Sequence, residues 1–368
     1  MHFRELNTRF RAILDSGIAT ELVSAPGRGK SQFIADQIKR QSAKDNKEWG
    51  FAKLFLATMT PPDLIGYQFK GERQFSDGNG GTNRVAVTEP TLPMWMVTEK
   101  GNPVWDYERG ILFLDEYGQG EADVKRASAE LLLNGQLGPW KLPKGWSVVA
   151  ASNRSMDRSG VTKSFDFVIN RRLEVEITDD LASWEQWAIE NNIPPEFIAF
   201  AVQNPNIVFA PGVPDKQGPW CTPRSLVMAA QLLDGFRNDK GELPVDAGAV
   251  EIAAGMVGQA ATAQMMAMIK LGLEMPKFED IIDDPENTKL PDKPDAQMLV
   301  TYSLSARTEK SNATPIITYM QRFPKEFGIT YAKSAVRRDA QLIFTPAFEK
   351  WANKNASLMA ALVDQKSQ

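Results

Sequence analysis

Residues 18–31 read IATELVSAPGRGKS. An apolar run of strand type, Ile18–Val23, leads into a short loop containing Gly27 and Gly29. Lys30 and Ser31 then open a helical pattern, Ser31–Ser42, that carries Phe33, Ile34 and Ile38 on one face. Glycines at these positions can take positive φ and let backbone N–H groups turn inward around an anion. The helix start adds its dipole to the same point. On this reading Ala25, Pro26, Gly27, Arg28, Gly29, Lys30, Ser31 and Gln32 form a phosphate cradle. Lys30 supplies a point charge to the β- and γ-phosphates, and the Ser31 hydroxyl can ligate Mg²⁺. The pattern GxxxxGK[ST] places glycine where this chain has Ser24, so Ser24 must adopt a backbone conformation open to L-residues. An ordinary strand–turn–helix connection would explain the octet without any ligand.

Two later strands end in polar residues. Gly110–Glu116 reads GILFLDE, and Ser147–Arg154 reads SVVAASNR. At a strand end, Asp115 would hold Mg²⁺ through water, and Glu116 would polarise the water attacking a γ-phosphate. Asn153 would emerge at the edge of the sheet where α/β folds bind ligands, placed to orient that water. Buried strands often end in solvated acids or a capping Asn, so each segment gains its meaning from the others.

The rarest residues exclude the most chemistry. The 368 residues include one histidine, His2, and one cysteine, Cys221. A Ser/His/Asp triad, a Cys/His pair and a Cys/His zinc cluster all need more imidazoles or thiols. An intrachain disulfide is likewise impossible, which suits a reducing, cytoplasmic compartment. The 46 acids and 42 bases leave a net charge of −4, which gives no bulk attraction to nucleic acid or an acidic membrane. MHFRELNTRF has no apolar segment of signal-peptide type. Ile252–Ile269 is an uncharged run, but its six Ala, two Gly, one Thr and two Gln would insert poorly in a bilayer. A buried, closely packed helix is expected there.

Five apolar segments are expected as buried parallel strands: Ile18–Val23, Phe51–Thr58, Ile111–Leu114, Ser147–Ala151 and Leu173–Ile177. Helical patterns alternate with them, including Glu121–Leu133 before the Asn134-Gly135 stop, which argues for a three-layer α/β domain over 1–178. From 179 to 368 strand signals fade. Helices are expected over Leu181–Asn191, Pro195–Gln203, Pro223–Asp234, Val245–Leu273, Ala296–Ala306, Thr314–Arg322 and Phe344–Val363. Asp283–Asp295 is acidic and Pro-rich, and is expected as a solvated loop.

The ordered set SAPGRGKS, GILFLDE, VVAASNR, FVINRRLEVEI and CTPRSL resembles the AAA+ ATPases, specifically the MoxR branch. ATMTPPDLIGYQFK resembles that branch's stretch after its second strand. The resemblance runs through most of residues 5–280. It implies a P-loop AAA+ domain with a parallel five-stranded sheet, followed by an all-α lid and a helical extension. The five motifs would be Walker A, Walker B, sensor 1, arginine finger and sensor 2. Arg171 fits the finger, with Arg172 next door as the alternative, and Arg224 fits sensor 2. A finger acts in trans on a neighbour's nucleotide, which implies a head-to-tail ring, hexameric by the same resemblance. The implied activity is Mg²⁺-dependent ATP hydrolysis that remodels a partner protein in a chaperone-like way. The implied partner is a von Willebrand factor type A domain protein. Two other readings stand beside it, a nucleic-acid motor and a nucleotide-gated scaffold with little hydrolysis. The acidic balance speaks against the first, and Glu116 with a finger candidate against the second.

MoxR relatives carry an insert where this chain has residues 67–109. Here Ser76–Arg84 reads SDGNGGTNR and is expected as a mobile loop. Leu133–Trp146 is expected as a hairpin before sensor 1, with Trp140 and Trp146 packed on the domain surface rather than gripping a substrate. Trp184, Trp187, Phe197, Phe200, Phe209, Met265, Met266 and Met268 are expected as core, and Cys221 as inert.

Overall fold

The computed structural model describes residues 1–76, 78, 80–157 and 165–355, in two compact units, Met1–Thr178 and Asp179–Gln368. In the first unit, helix α1 (Phe3–Asp15) precedes strand β1 (Thr20–Ser24), helix α2 (Lys30–Asp45) and strand β2 (Gly50–Phe55). After the short helix α3 (Pro61–Ile65) comes an antiparallel ribbon, β3 (Gln68–Ser76) and β4 (Thr82–Pro90). Strand β5 (Gly110–Asp115), helix α4 (Ala122–Asn134), the small hairpin β6 (Gln136–Leu137) and β7 (Trp140–Lys141), and strand β8 (Trp146–Asn153) follow. Helix α5 (Asp166–Ile169) and strand β9 (Leu173–Glu176) close the unit.

Five strands form one parallel sheet in the order β2-β5-β8-β1-β9. All five expected strands are therefore present, followed by a largely helical second unit; β9, expected as buried, is instead exposed at the sheet edge except at Val175. Burial explains the apolar runs, because a parallel sheet covered on both faces has no polar side to show. On one face Leu22, Ile111, Phe113, Val149 and Ala151 pack with Leu6, Phe10, Leu14 and Ile34 of α1 and α2. On the other, Leu54, Leu112, Leu114, Val148 and Ala150 pack with Leu64 of α3 and Val124, Leu131 and Leu132 of α4. Alternation along each strand gives the three layers.

Trp146 shows how tightly one end of this sheet is closed. Gly50, Gly110 and Trp146 are successive partners on β2, β5 and β8. A Cβ at either glycine would collide with the indole, whose Nε1 donates to Tyr107 O at 3.3 Å. Trp146 is thus core rather than surface-packed as expected, while Trp140 packs half-buried against the same cluster.

The segment expected as a mobile loop, Ser76–Arg84, connects two long strands: Ser76 ends β3 and Thr82–Arg84 begin β4. β3 and β4 pair over nine residues each, from Gln68↔Pro90 to Ser76↔Thr82; positions 77 and 79 of the SDGNGG turn lie outside the described residues. Almost every ribbon residue is exposed. Register places Phe69, Arg73 and Phe75 on one face with Val85, Val87 and Glu89. Gly71 has no side chain, and Glu89 lies over it to pair with Arg73 at 2.6 Å. At the ribbon's base, Thr91 N donates to Tyr67 O at 2.9 Å. Excising residues 68–90 and joining Tyr67 to Thr91 through Asn-Gly should shift Tm by less than about 3 °C, roughly 1 kcal/mol for a unit of this size. Loss of the folded unit in a melting experiment would show instead that the ribbon belongs to the core.

The second unit contains α6 (Leu181–Glu190), α7 (Pro195–Gln203), α8 (Pro205–Val208), α9 (Pro223–Asp234), α10 (Ala247–Val257) and α11 (Gln259–Leu273). Then come α12 (Phe278–Asp283), α13 (Pro294–Arg307), α14 (Ala313–Met320), α15 (Lys325–Arg338) and α16 (Pro346–Lys354). Phe197, Phe200, Met265, Met266, Met268 and Cys221 are core, with Trp184, Trp187 and Phe209 packed against them, as expected. Three expectations need correction. Val245–Leu273 is two helices, not one, because Gly258 sits at φ 80, ψ 158, outside helical space. A Cβ at Gly258 would strike Pro219 O, so the break is built around glycine. Lys325–Arg338 is an unforeseen helix whose Phe327, Tyr331 and Ala335 are buried. The expected Phe344–Val363 helix starts at Pro346, after a 3₁₀ turn, and positions beyond 355 lie outside the described residues. Among the described residues no helix is long and apolar enough to cross a membrane.

Candidate functional site

Lys30, Ser31, Asp115, Glu116 and Asn153 converge at the C-terminal ends of three adjacent strands, β5, β8 and β1. β1 ends on Ser24, whose register partner on β8 is Asn153. Lys30 bridges them: its Nζ donates to Ser24 Oγ at 3.0 Å and to Asn153 Oδ1 at 2.9 Å, with Ser24 O at 3.3 Å. Asn153 Nδ2 in turn donates to Glu116 Oε2 at 3.2 Å. Ser24, Lys30 and Asn153 are all buried, so the ammonium is held by these oxygens rather than by water.

Ser24 is the residue that departs from the phosphate-loop pattern. It closes β1 in ordinary strand conformation, and the positive φ values in the loop fall on Gly27 (74°) and Gly29 (92°). An L-residue is therefore accommodated, and its hydroxyl, which also donates to Ala25 O at 2.9 Å, gives Lys30 an acceptor that glycine lacks. Gly29 is the N-cap of α2 and offers no side-chain cap to the first-turn amides. Those amides and the helix dipole point toward one site suited to an anion.

Alongside runs a second chain of contacts. Ser31 Oγ donates to Asp115 Oδ2 at 2.9 Å, and Asp115 Oδ1 accepts from Glu116 N at 3.1 Å. Glu116 takes the left-handed conformation, φ 52, ψ 37, directly after β5. That turn carries its carboxylate toward Asn153 rather than along the strand direction, and such backbone conformations are held only where the surroundings enforce them. Lys53, on the neighbouring β2, reaches the same Asp115 Oδ2 at 3.0 Å. The sequence reading missed it. Its one signal was a lone charge inside the apolar run Phe51–Thr58, and only the β2–β5 register places that charge beside Asp115.

Ser31 and Asp115 supply hard oxygen donors, the type magnesium prefers. Among the described residues there is no group of three or more His, Cys, Asp or Glu that would cage a metal by protein alone. A pair of oxygen donors beside a phosphate cradle fits Mg²⁺, which usually retains waters and shares its coordination with substrate phosphates.

The two adjacent arginines have different surroundings. Arg172 is buried and paired with Glu21 of β1, and its Nη2 lies 2.7 Å from Glu174. Glu21 also accepts from Ser152 of β8, so Arg172 ties three strands together. Arg171 is exposed on the turn between α5 and β9. Arg224 is exposed in the first turn of α9, in the second unit, where the Thr222/Ser225 capping box fixes the helix start.

No protein-family model matches the chain, and no curated protein matches it. Among solved structures it is similar to a point mutant of RuvB from Thermotoga maritima, at 11% identity over 77% of this chain and 75% of that one, TM-score 0.37. It is also similar to NtrX from Brucella abortus in complex with ADP, at 13% identity, 99% and 67% coverage, TM-score 0.33. For the same protein in complex with ATP the values are 14%, 96% and 67%, and 0.32.

Proposed function

We propose that the chain is an AAA+ ATPase of the MoxR branch that hydrolyses ATP with Mg²⁺ in a head-to-tail ring, hexameric by family resemblance, and remodels a partner protein. Residues 1–178 would bind nucleotide, and 179–368 would form the lid and its helical extension. The observation that carries this reading is the unbroken line Ser24–Lys30–Asn153–Glu116, with Ser31–Asp115 beside it, at one edge of a parallel sheet. A structural salt-bridge network would have no reason to leave a glycine-lined, uncapped helix start next to it.

In this mechanism the amides of residues 25–32 hold the phosphates, and Lys30 turns from its resting acceptors to the β- and γ-oxygens. Ser31 and Asp115 would hold the metal, whose chemistry would be to neutralise charge on the phosphoryl group. Glu116 accepts a proton from the attacking water, and Asn153 orients both Glu116 and that water. Arg171 of a neighbouring subunit completes the site, and Arg224 reports nucleotide to the lid. The von Willebrand factor type A domain protein remains a proposed partner on family resemblance alone, as does a cytoplasmic setting.

The test is the ATPase rate as a function of protein concentration, with mass measured in the presence of ATP and Mg²⁺. A specific rate that climbs as a ring appears supports composite sites. A monomer that binds ATP without hydrolysing it would favour the nucleotide-gated scaffold.

A further inference from the structure

Lys53 is unexpected at this site for an electrostatic reason. Asp115 Oδ2 is the oxygen to which Ser31 donates, so the two residues assigned to the metal meet at the atom that the Lys53 ammonium touches. The lysine is anchored there. It stands on β2 between Ala52 and Leu54, both buried, and its ammonium lies 5.7 Å from the centre of the Phe113 ring. Phe113 is also its register partner on β5, so stem and charge both lie against the strand that presents Asp115. Its side chain is one-third exposed, which leaves room to swing outward.

We propose that Lys53 is the resident counter-cation of Asp115 and acts as a positioning residue that makes metal entry depend on nucleotide. This inference rests on the nucleotide-binding reading of the same site. Without nucleotide, the ammonium neutralises the carboxylate and repels a divalent ion approaching it. That repulsion lowers metal affinity by roughly tenfold even at the dielectric constant of water. A bound triphosphate brings enough negative charge to reverse the balance, so the metal enters with the nucleotide and Lys53 gives up Asp115. Coupling of this kind is reciprocal: whatever nucleotide does to metal affinity, metal does to nucleotide affinity.

The experiment is a Mn²⁺ titration of the full chain followed by electron paramagnetic resonance, first with no nucleotide present. Lys53→Gln should bind Mn²⁺ about tenfold more tightly than wild type, and Lys53→Arg, which keeps the charge, should behave as wild type. Adding Asp115→Asn to Lys53→Gln should remove the gain. With a non-hydrolysable ATP analogue present, the wild-type and Lys53→Gln affinities should converge, because the triphosphate removes the barrier that Lys53 sets in wild type. If Lys53→Gln loses its fold by circular dichroism, Lys53→Met carries the same expectation with the stem over Phe113 retained. Equal Mn²⁺ affinity of the folded variant and wild type without nucleotide would overturn the proposal. Failure of the nucleotide reading would appear separately, as wild-type protein that does not bind a fluorescent ATP analogue.

Discussion

Replacing Glu116 with glutamine should lower ATP turnover by about 10²–10⁴-fold while leaving nucleotide affinity within a few-fold of wild type. The geometry makes the substitution clean. Glu116 accepts a hydrogen bond from Asn153 Nδ2, and a glutamine carbonyl oxygen can accept the same bond. Volume and orientation are kept, and only the ability to take a proton from water is removed. The measurements are phosphate release at saturating ATP and binding of a fluorescent ATP analogue. Near-normal turnover would remove Glu116 from the role of base. Loss of binding together with turnover would mean that its left-handed turn, rather than its carboxylate chemistry, had been disturbed.

The second large effect is expected at Arg171. Arginine fingers contribute roughly 10³–10⁵ in rate in characterised NTPases, so Arg171→Ala should reduce turnover on that scale with no change in Tm. On the proposed trans assignment, mixing Arg171→Ala with Glu116→Gln protein should restore part of the activity. No recovery in rings shown to exchange subunits would remove the trans assignment. Arg172 supplies the contrast. Its burial against Glu21 predicts a loss of about 3–5 kcal/mol of stability on Arg172→Ala, since an uncompensated carboxylate is left between β1 and β8. A fall in Tm at 172 and a fall in turnover at 171 would separate two side chains that the sequence places side by side.

How much of this was legible in the sequence depended on whether burial left a pattern. The central strands β5 and β8 were readable because a doubly covered strand is apolar throughout, and the polar residues that end them were readable as breaks in those runs. The β3–β4 ribbon left no comparable mark. With both faces exposed, nothing constrains its residues to alternate, and Phe69, Arg73 and Phe75 share a face without a hydrophobic stripe to announce it. Gly258 was invisible for the opposite reason: an Ala-rich run tolerates glycine as helix, and only its close approach to Pro219 makes a break there necessary. At the site, Lys30, Ser31, Asp115, Glu116 and Asn153 follow from local motif and strand end, and the structure brings all five together. Lys53 and the Glu21–Arg172 pair depend on which strands are neighbours and in what register. Periodicity along one segment carries no such information.

The Trp146 indole, laid over Gly50 and Gly110, makes the two ends of the central sheet mechanically unequal. At that end three strands are wedged together with no room for a methyl group, so they cannot slide past one another without unfolding. At the other end backbone pairing continues to Phe55↔Asp115 and Ser24↔Asn153, but no indole is wedged between the strands, and the polar side chains of Lys30, Asn153, Glu116, Lys53 and Asp115 gather there instead. The sheet is therefore pinned by packing along one edge, and a change of charge at the polar edge would be passed on through the loops and helices rooted there.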